Sequence, residues 1–599
     1  MTESDYPEEE LSSESDNESV VNVRGGNESS DEDEDHIDGA AEDNTPPRKR
    51  KRGRKETNPL GEGWSQTFTP VNTDFLGGEM GPKNIPDNIN NNSTPIDYLN
   101  IFLNEDFWHM LCQQTNLRAQ QTKLNKPNAY YAKSYKAVDT KEMKAFLGLR
   151  LQMETSVIKP RYEHYWKGSG KNFVASTPGF REVMERDRFL ALWSFLHLVD
   201  ETDPDLDKTD KIYKIRPMLD IILPKFREHY NVGQHLSLDE GMIPLKNRLA
   251  IKQYIKLKPV KWGVKSFLLC DSNTGYICNA EIYTGKKRDE NFVDILGATG
   301  NVVVDLIKGA GVADLRHMIV MDRFYSGVNL FDHLYDKMGT LAVGTIMTNH
   351  SCYPKDLKKT KKTLPDRGQS EYMCRNNLSG VVWNDNKPIN FLSSYHNPTD
   401  MGSEDRKSKD GTVKNIKCPV LVSDYNKYMG GCDKNDQISR LNRTRRHYKW
   451  PRRLFVKFMY WTLYNAYVIM NHYSPHKANG KRYRTFNMFL DELCLQLIGD
   501  YRTLAVRRES RELDVPTRMQ NVGLHYPERP SEATGNNVCV VCSYKFNQFQ
   551  RTNQPKSKKD CPYKQKKTTF WCAYCRRYLC IREGSSCWND WHNKVEYWR

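Results

Sequence analysis

The sequence predicts a multidomain α/β protein with a separate cysteine-rich tail, and three observations carry that prediction. Apolar residues at three- and four-residue steps flank a middle region of short apolar runs. The chain has 599 residues, more than one hydrophobic core holds, since cores rarely grow past roughly 250 to 300 residues. Of its 15 cysteines, 7 lie between Cys539 and Cys587, which argues for a local metal site rather than a disulfide framework. Charge is divided unevenly. Residues 1–45 hold 17 Asp and Glu against Arg24, a net of −16, so with +15 overall the remainder carries +15 − (−16) = +31. A body that basic fits a polyanionic partner, nucleic acid first, because neutralising phosphates releases condensed counterions.

Taken in order, residues 1–96 form an N-terminal region that opens acidic and Ser-rich and is expected to be disordered. Within it the basic run 48–55, in Pro46-Pro-Arg-Lys-Arg-Lys-Arg-Gly-Arg-Lys55, reads as a nuclear localisation signal. The chain opens on Glu, Asp and Ser with no apolar leader, so secretion is not expected. Residues 97–235 read as helical. Asp97 or Asn104 can cap the runs carrying Ile101, Phe102, Phe107 and Met110, and Asp139 precedes Met143-Lys-Ala-Phe-Leu. Arg186 to Leu198 and Arg216 to Tyr230 show the same periodicity.

Residues 236–350 change texture to short strands: Leu236 to Leu238, Lys265 to Cys270, Tyr276 to Tyr283, His317 to Met321 and Leu341 to Met347, with one helix near Val328 to Lys337. Residues 351–425, irregular, Lys-rich and broken by Pro354, Pro365 and Pro388, read as an inserted subdomain. Residues 426–442 return a helix to the core, and 443–506 are a second helical part. There Leu454 to Met470 is interrupted by Lys457 and Asn465 and reads as a buried helix; no membrane span is expected. A polar linker, 507–538, leads to the cysteine-rich segment 539–599.

Four aspartates point to chemistry. Asp239 and Asp322 follow the apolar runs Leu236 to Leu238 and Met318 to Met321, the pattern of a buried strand delivering a carboxylate to a sheet edge. Asp433 follows Gly430-Gly431-Cys432, where glycines permit a sharp turn, and Asp436 shares a helical face with it at i, i+3. Carboxylates from separate segments are ligands that Mg²⁺ or Mn²⁺ prefer, and two such ions serve an in-line phosphoryl transfer. Two basic sets supply candidate phosphate contacts. The first is Lys246, Arg248, Lys256, Lys258, Lys261 and Lys265, interleaved with Tyr254 and Trp262; the second is Arg443, Arg445, Arg446, Lys449, Arg452 and Arg453. The tail offers Cys539, Cys542, Cys561, Cys572, Cys575, Cys580, Cys587 and His592, eight donors that match two tetrahedral Zn²⁺ sites.

The runs Leu236-Ser-Leu-Asp-Glu240, Met321-Asp-Arg-Phe-Tyr-Ser326 and Tyr428-Met-Gly-Gly-Cys-Asp-Lys-Asn-Asp-Gln437 resemble the piggyBac transposase family. So do Lys211-Ile-Tyr-Lys-Ile-Arg-Pro-Met-Leu-Asp220, the Lys258 to Lys265 run and the cysteine tail, so the likeness spans about 97 to 599. The resemblance implies a ribonuclease H-like catalytic core with an inserted subdomain. Asp239, Asp322 and Asp433 would carry the metals, with Asp436 a fourth needed carboxylate. It also implies helical flanks for dimerisation and DNA binding, and a cross-braced zinc domain that recognises transposon ends. The activity implied is cut-and-paste transposition in the nucleus: nicking by water, hairpin formation by the freed 3′-hydroxyl, and joining to double-stranded target DNA at TTAA, by a homodimer or higher assembly. The alternative is a domesticated descendant that binds DNA without cutting, and the four intact aspartates weigh against it. Three positions depart from the commonest family wording, Asn247, Arg323 and Cys432; Arg323 matters most, because a cation turned toward Asp322 would oppose metal binding.

Overall fold

The computed structural model describes residues 63–156, 161–166, 177–245, 249–256, 258, 260–285, 292–407, 411–439, 449–473, 485–501, 525–530, 537–553, 560–594 and 596–597. The acidic start, the basic run 48–55, Lys246, Arg248, Arg443, Arg445, Arg446 and most of the linker fall outside them.

From residue 63 the chain is laid against the body, so the disordered region expected over 1–96 does not extend that far. Ser65 bridges Cys374, and β1 (Gly81–Pro82) pairs with β2 (Tyr230–Asn231). The helices between them are α1 (Pro95–Phe102), α2 (Glu105–Asn125), α3 (Tyr130–Lys133), α4 (Thr140–Thr155), α5 (Pro178–Val183), α6 (Arg186–Phe195) and α7 (Arg216–Glu228). Their starts follow local chemistry. Asn104 accepts the Phe107 N–H at 3.3 Å and Asp139 the Glu142 N–H at 2.7 Å, each satisfying a donor that the first turn leaves unpaired. Asp97 is no N-cap. It sits in the first turn of α1, where its carboxylate accepts from the Thr94 N–H and hydroxyl at 2.7 and 2.8 Å.

The middle region builds the core sheet from β3 (His235–Pro244), β4 (Lys252–Tyr254), β5 (Trp262–Asp271), β6 (Ile277–Ile282), β7 (Met318–Met321) and β8 (Leu341–Thr345). Two helices accompany them, α8 (Gly297–Ala310) and α9 (Val328–Met338), where the sequence predicts one. β3 lies between antiparallel β5 and parallel β7, and β7 is parallel to β8. β4 and β6 both pair with β5, at its two ends.

Residues 351–425 are not irregular. β9 (Ser370–Arg375), β10 (Leu378–Asn384) and β11 (Pro388–Ser393) form antiparallel pairs, and β11 pairs with β8, so the inserted segment extends the core to a nine-stranded sheet, eight strands in the order β4-β5-β3-β7-β8-β11-β10-β9 and β6 beside β4 on β5. The prolines that mask this pattern lie in loops or, for Pro388, at a strand's first residue, where a missing N–H is tolerated. β12 (Met401–Lys407) and β13 (Val413–Pro419) make a separate ribbon. Then come α10 (Val420–Tyr428), α11 (Gly431–Ser439), α12 (Trp450–Tyr473) and α13 (Phe486–Ile498).

The helices on either side of the sheet region in sequence pack together. At Gly148 of α4 an added Cβ would lie 2.9 Å from the Cys494 carbonyl oxygen of α13, and Ile96 at the start of α1 donates its N–H to Gln496 Oε1 at 2.9 Å. α12 is buried along most of its length. Its Asn465 accepts the Ile277 N–H at 2.9 Å and donates to the Ile277 carbonyl at 3.0 Å, so an amide side chain stands in for a neighbouring strand beside β6. Among the described residues no helix is long and apolar enough to cross a membrane. The tail contains β14 (Pro527–Glu528), α14 (Val540–Asn553), β15 (Trp571–Cys572), β16 (Arg577–Tyr578) and α15 (Cys587–Asn593) around its own small apolar cluster.

Candidate active site and metal centres

The parallel register of β3 and β7 ends at Leu238 opposite Met321, so Asp239 and Asp322 come next on adjacent strands, at the carboxyl ends of a parallel pair. Asp239 does not end its strand; β3 runs on to Pro244 because the following residues continue to pair with β5. Asp322 starts a turn, its Oδ1 accepting the Phe324 N–H at 2.8 Å and its carbonyl the Ser326 hydroxyl at 3.0 Å. That turn leaves Arg323 exposed.

Both carboxyls are held toward the protonated form. Burial, then the charge of Glu240, pushes Asp239 up to about 7, with Lys258 pulling the other way and Asp322 adding a smaller push. Burial also raises Asp322, against the Phe324 hydrogen bond. Grouped acids lifted in this way are relieved by a bound cation, so the oxygen donors present fit Mg²⁺ or Mn²⁺.

Four further residues belong to this cluster. Glu240 accepts the Tyr325 hydroxyl at 3.1 Å. Lys258 places Nζ 3.2 Å from Glu240 Oε1 and 3.8 Å from Asp239 Oδ1, and Lys265 lies over the Phe324 ring at 4.0 Å. Sequence reasoning assigned both lysines to the DNA path; here their ammonium groups turn to the acidic site. Glu240 and Tyr325 were overlooked although each stands within a quoted motif.

The third carboxylate expected from the sequence, Asp433, lies on α11, which docks on the face of β3 that carries Asp239. Ser237, two residues before Asp239 and thus on the same side, accepts the Cys432 N–H at 3.1 Å. Gly431 is needed for close approach rather than for a turn: a Cβ there would lie 2.4 Å from Ser237 Oγ and 2.8 Å from the Asp271 carbonyl. Asp433 stands exposed in the first turn of α11. Among the described residues only Cys and His groups bring three or more donor atoms within 4.8 Å of one another, so Asp433 does not converge to that distance on Asp239 and Asp322. Asp436 lies within α11, and its side chain is outside the described residues.

The tail brings its donors into two groups, Cys539, Cys542, Cys580 and Cys587, and His525, Cys572, Cys575 and His592, each with ligand atoms within 4.8 Å. Cys542 Sγ is 3.5 Å from Cys587 Sγ, and Cys575 Sγ is 3.2 Å from His525 Nδ1 and 3.6 Å from His592 Nε2. His592 Nδ1 lies 2.9 Å from the Trp588 carbonyl, which orients the ring with Nε2 toward the cysteines. The two sets alternate along the chain. Cys561 lies outside both, and His525, placed in the linker by the sequence reading, takes the eighth position. Soft sulfur and imidazole donors in fours fit tetrahedral Zn²⁺.

Of the remaining candidate phosphate contacts, Lys256, Lys261 and Lys449 are exposed. Arg452 and Arg453 turn inward instead. Arg452 donates to the Ser194 carbonyl and burial brings its pKa down to about 10, while Arg453 is buried and donates to the Pro244 carbonyl at 3.2 Å. Arg452 thus ties α12 to α6 and Arg453 ties α12 to the end of β3.

The family model described as Transposase IS4 matches residues 94–467. PiggyBac transposable element-derived protein 3 of Homo sapiens is 27% identical over 370 residues, covering 60% of this chain and 58% of that protein; the match therefore spans little more than half of that relative's length. PiggyBac transposable element-derived protein 2 of Homo sapiens is 24% identical over 492 residues, covering 80% of this chain and 77% of that protein. Among solved structures, the cryo-EM structure of a piggyBac transposase synaptic complex with hairpin DNA shares the fold at a TM-score of 0.58 and 22% identity, covering 71% of this chain and 83% of that one.

Proposed function

We propose, from the premise that this chain belongs to the transposase IS4 family and within it to the piggyBac type, that it is a metal-dependent DNA transposase. On this reading it excises an element and integrates it at TTAA. The observation that carries the proposal is the placement of Asp239 and Asp322 side by side, just past the end of the parallel pairing of β3 with β7, with α11 docked on the side of β3 that carries Asp239. The strand order β6-β5-β3-β7-β8, mixed as described, supports a ribonuclease H-like core interrupted by the β9–β13 segment.

Asp239, Asp322 and Asp433 would hold two Mg²⁺ or Mn²⁺ ions, with Asp436 a further carboxylate. Bound there, such ions supply Lewis-acid stabilisation of the attacking and leaving oxygens of an in-line displacement. The chain's own groups do the rest. Asp322 is oriented by the Phe324 N–H, Glu240 is held by Tyr325, and Lys258 offers a cation to the phosphate whose charge grows in the transition state. In the first step water forms a bond to phosphorus at the element's 3′ end and the bond to the 3′-oxygen breaks. The freed 3′-hydroxyl then bonds to a phosphorus of the opposite strand as that strand's flanking 3′-oxygen leaves, closing a hairpin; water reopens the hairpin at that phosphorus, and the regenerated 3′-hydroxyl bonds to a target phosphorus as the target's 3′-oxygen leaves. The tail groups would hold two Zn²⁺ ions and shape a reader of the element ends. A nuclear homodimer or larger assembly on DNA completes this reading.

One observation favours a second reading, a domesticated DNA-binding protein: Lys258 Nζ stands beside Asp239 and Glu240, where it competes with a metal cation. Excision from a plasmid carrying the gene's own flanking DNA separates the two. Loss of the insert with the wild type but not with Asp239→Ala supports the transposase. No excision by either protein, with binding to the flanks retained, selects the domesticated form.

A further inference from the structure

Opposite the carboxylates, at the other end of β5, the β4–β5 hairpin exposes two large aromatic side chains side by side. Tyr254 and Trp262 are register partners, 50% and 49% exposed, with ring centroids 4.7 Å apart at 48°. Single exposed aromatics need no explanation, but an adjacent pair that forgoes burial does. At this tilt the two rings do not stack face to face, so about half of each side chain stays exposed although Lys252 covers part of Trp262. The surroundings are cationic: Lys252 Nζ lies 4.9 Å from the Trp262 ring centroid, and Lys256 and Lys261 are exposed in the connecting loop.

The pair is fixed relative to the site. Leu268 of β5 opposes Asp239, and by strand alternation Leu268, Ser266, Val264 and Trp262 share its side of the sheet. Six residues of strand separate Leu268 from Trp262, a span of about 20 Å. The hairpin is pressed against β3, since a Cβ at Gly263 would lie 2.3 Å from the Ile243 carbonyl oxygen, and its loop returns Lys258 to Glu240 and Asp239. Val264, Ser266 and Leu268 on that side are buried, so the way from the carboxylates to the two aromatic rings lies over the hairpin loop, which carries Lys256, Lys258 and Lys261.

We propose that Tyr254 and Trp262 form a stacking platform for unpaired bases of single-stranded DNA adjoining the cleavage site. The proposal deepens the DNA-cleavage reading and rests on it. Lysines alone serve paired and unpaired DNA alike through phosphate; an aromatic face gains only where a base is free to leave its partner. The hairpin thus adds a preference for unpaired over paired DNA, independent of base identity.

Full-length protein is titrated, by fluorescence anisotropy at one fixed salt concentration, with a forked oligonucleotide carrying an unpaired tract and with a fully paired duplex of the same sequence. Wild type is expected to favour the fork. Trp262→Ala and Tyr254→Ala are each expected to weaken the fork roughly tenfold with duplex affinity unchanged. Trp262→Phe keeps most of the preference, and Lys261→Ala weakens both probes alike. Equal loss on both probes, or none, with Trp262→Ala overturns the platform, as does a change in self-association with DNA binding untouched. Wild type binding both probes equally also overturns it while leaving the cleavage reading standing; wild type binding neither removes both.

Discussion

At Asp239 the balance between a proton and a metal ion decides how the site responds to pH. Its carboxyl is lifted to about 7 by burial and Glu240. A raised acid pKa means that the neutral form is the one the fold favours: its stabilising effect is complete below the ordinary carboxylate range and is lost as pH rises through about 7. A cation must displace that proton, so Mn²⁺ affinity measured by calorimetry should rise about fivefold from pH 6 to 7 and less than twofold from 7 to 8. A flat profile would exclude Asp239 as a coupled ligand. The tail allows a sharper test between two residues. His525→Ala should leave roughly one zinc per chain and Cys561→Ser two, as counted by metal analysis of purified protein; the reverse would reinstate Cys561. Cys561 entered the ligand set on proximity in sequence, whereas His525 stands 14 residues before Cys539 (539 − 525), beyond the reach of any CxxC pattern. Asp239 and Asp322 were legible because each follows a run of apolar residues. The inward turn of Lys258 was not, since charge runs carry no sign of which side a loop folds toward.

Helices and strands were legible where one face is apolar and obscure where packing overrides local preference. α8 begins Gly297-Ala-Thr-Gly-Asn-Val-Val-Val, a string of glycines and β-branched residues with poor helix propensity, yet it forms against β5 and β6 with Val303, Val304, Leu306 and Ile307 buried. β12 alternates exposed and half-buried residues in a polar ribbon, leaving no hydrophobic alternation to read. Asn465 looked like an interruption in an apolar helix; its pairing with Ile277 makes it a structural requirement. The contact of α4 with α13 gives an element-level prediction. Gly148→Ala places a methyl group against a backbone carbonyl that cannot swing away, so it should cost about 1 to 3 kcal/mol, seen as a lowered thermal midpoint. An unchanged midpoint would mean that the two helices are less tightly apposed than described.

For the molecule as a whole, charge segregation governs encounter with DNA. The −16 of residues 1–45 and the +31 of the rest are opposite in sign, and charge alone predicts that the acidic segment would compete with DNA for the basic remainder. Deleting residues 1–45 should strengthen binding to arbitrary duplex at 50 mM salt, by about tenfold, with the difference shrinking toward 0.3 M as screening shortens its reach; filter binding across a salt series measures it. A salt-independent change would assign the segment some role other than electrostatic competition. Composition alone made this asymmetry legible, while the joining of the inserted strands to the core sheet depended on the pairing of β11 with β8, which no local pattern announces. The clasp between the early and late helices has a consequence for biosynthesis. Ile96 waits for a partner 400 residues later in the chain, so the apolar faces of α1 and α4 leave the ribosome long before α12 and α13 exist. A nascent chain of this length carries that unmet surface through most of its translation, and its yield should depend on holdase chaperones more than its final stability implies.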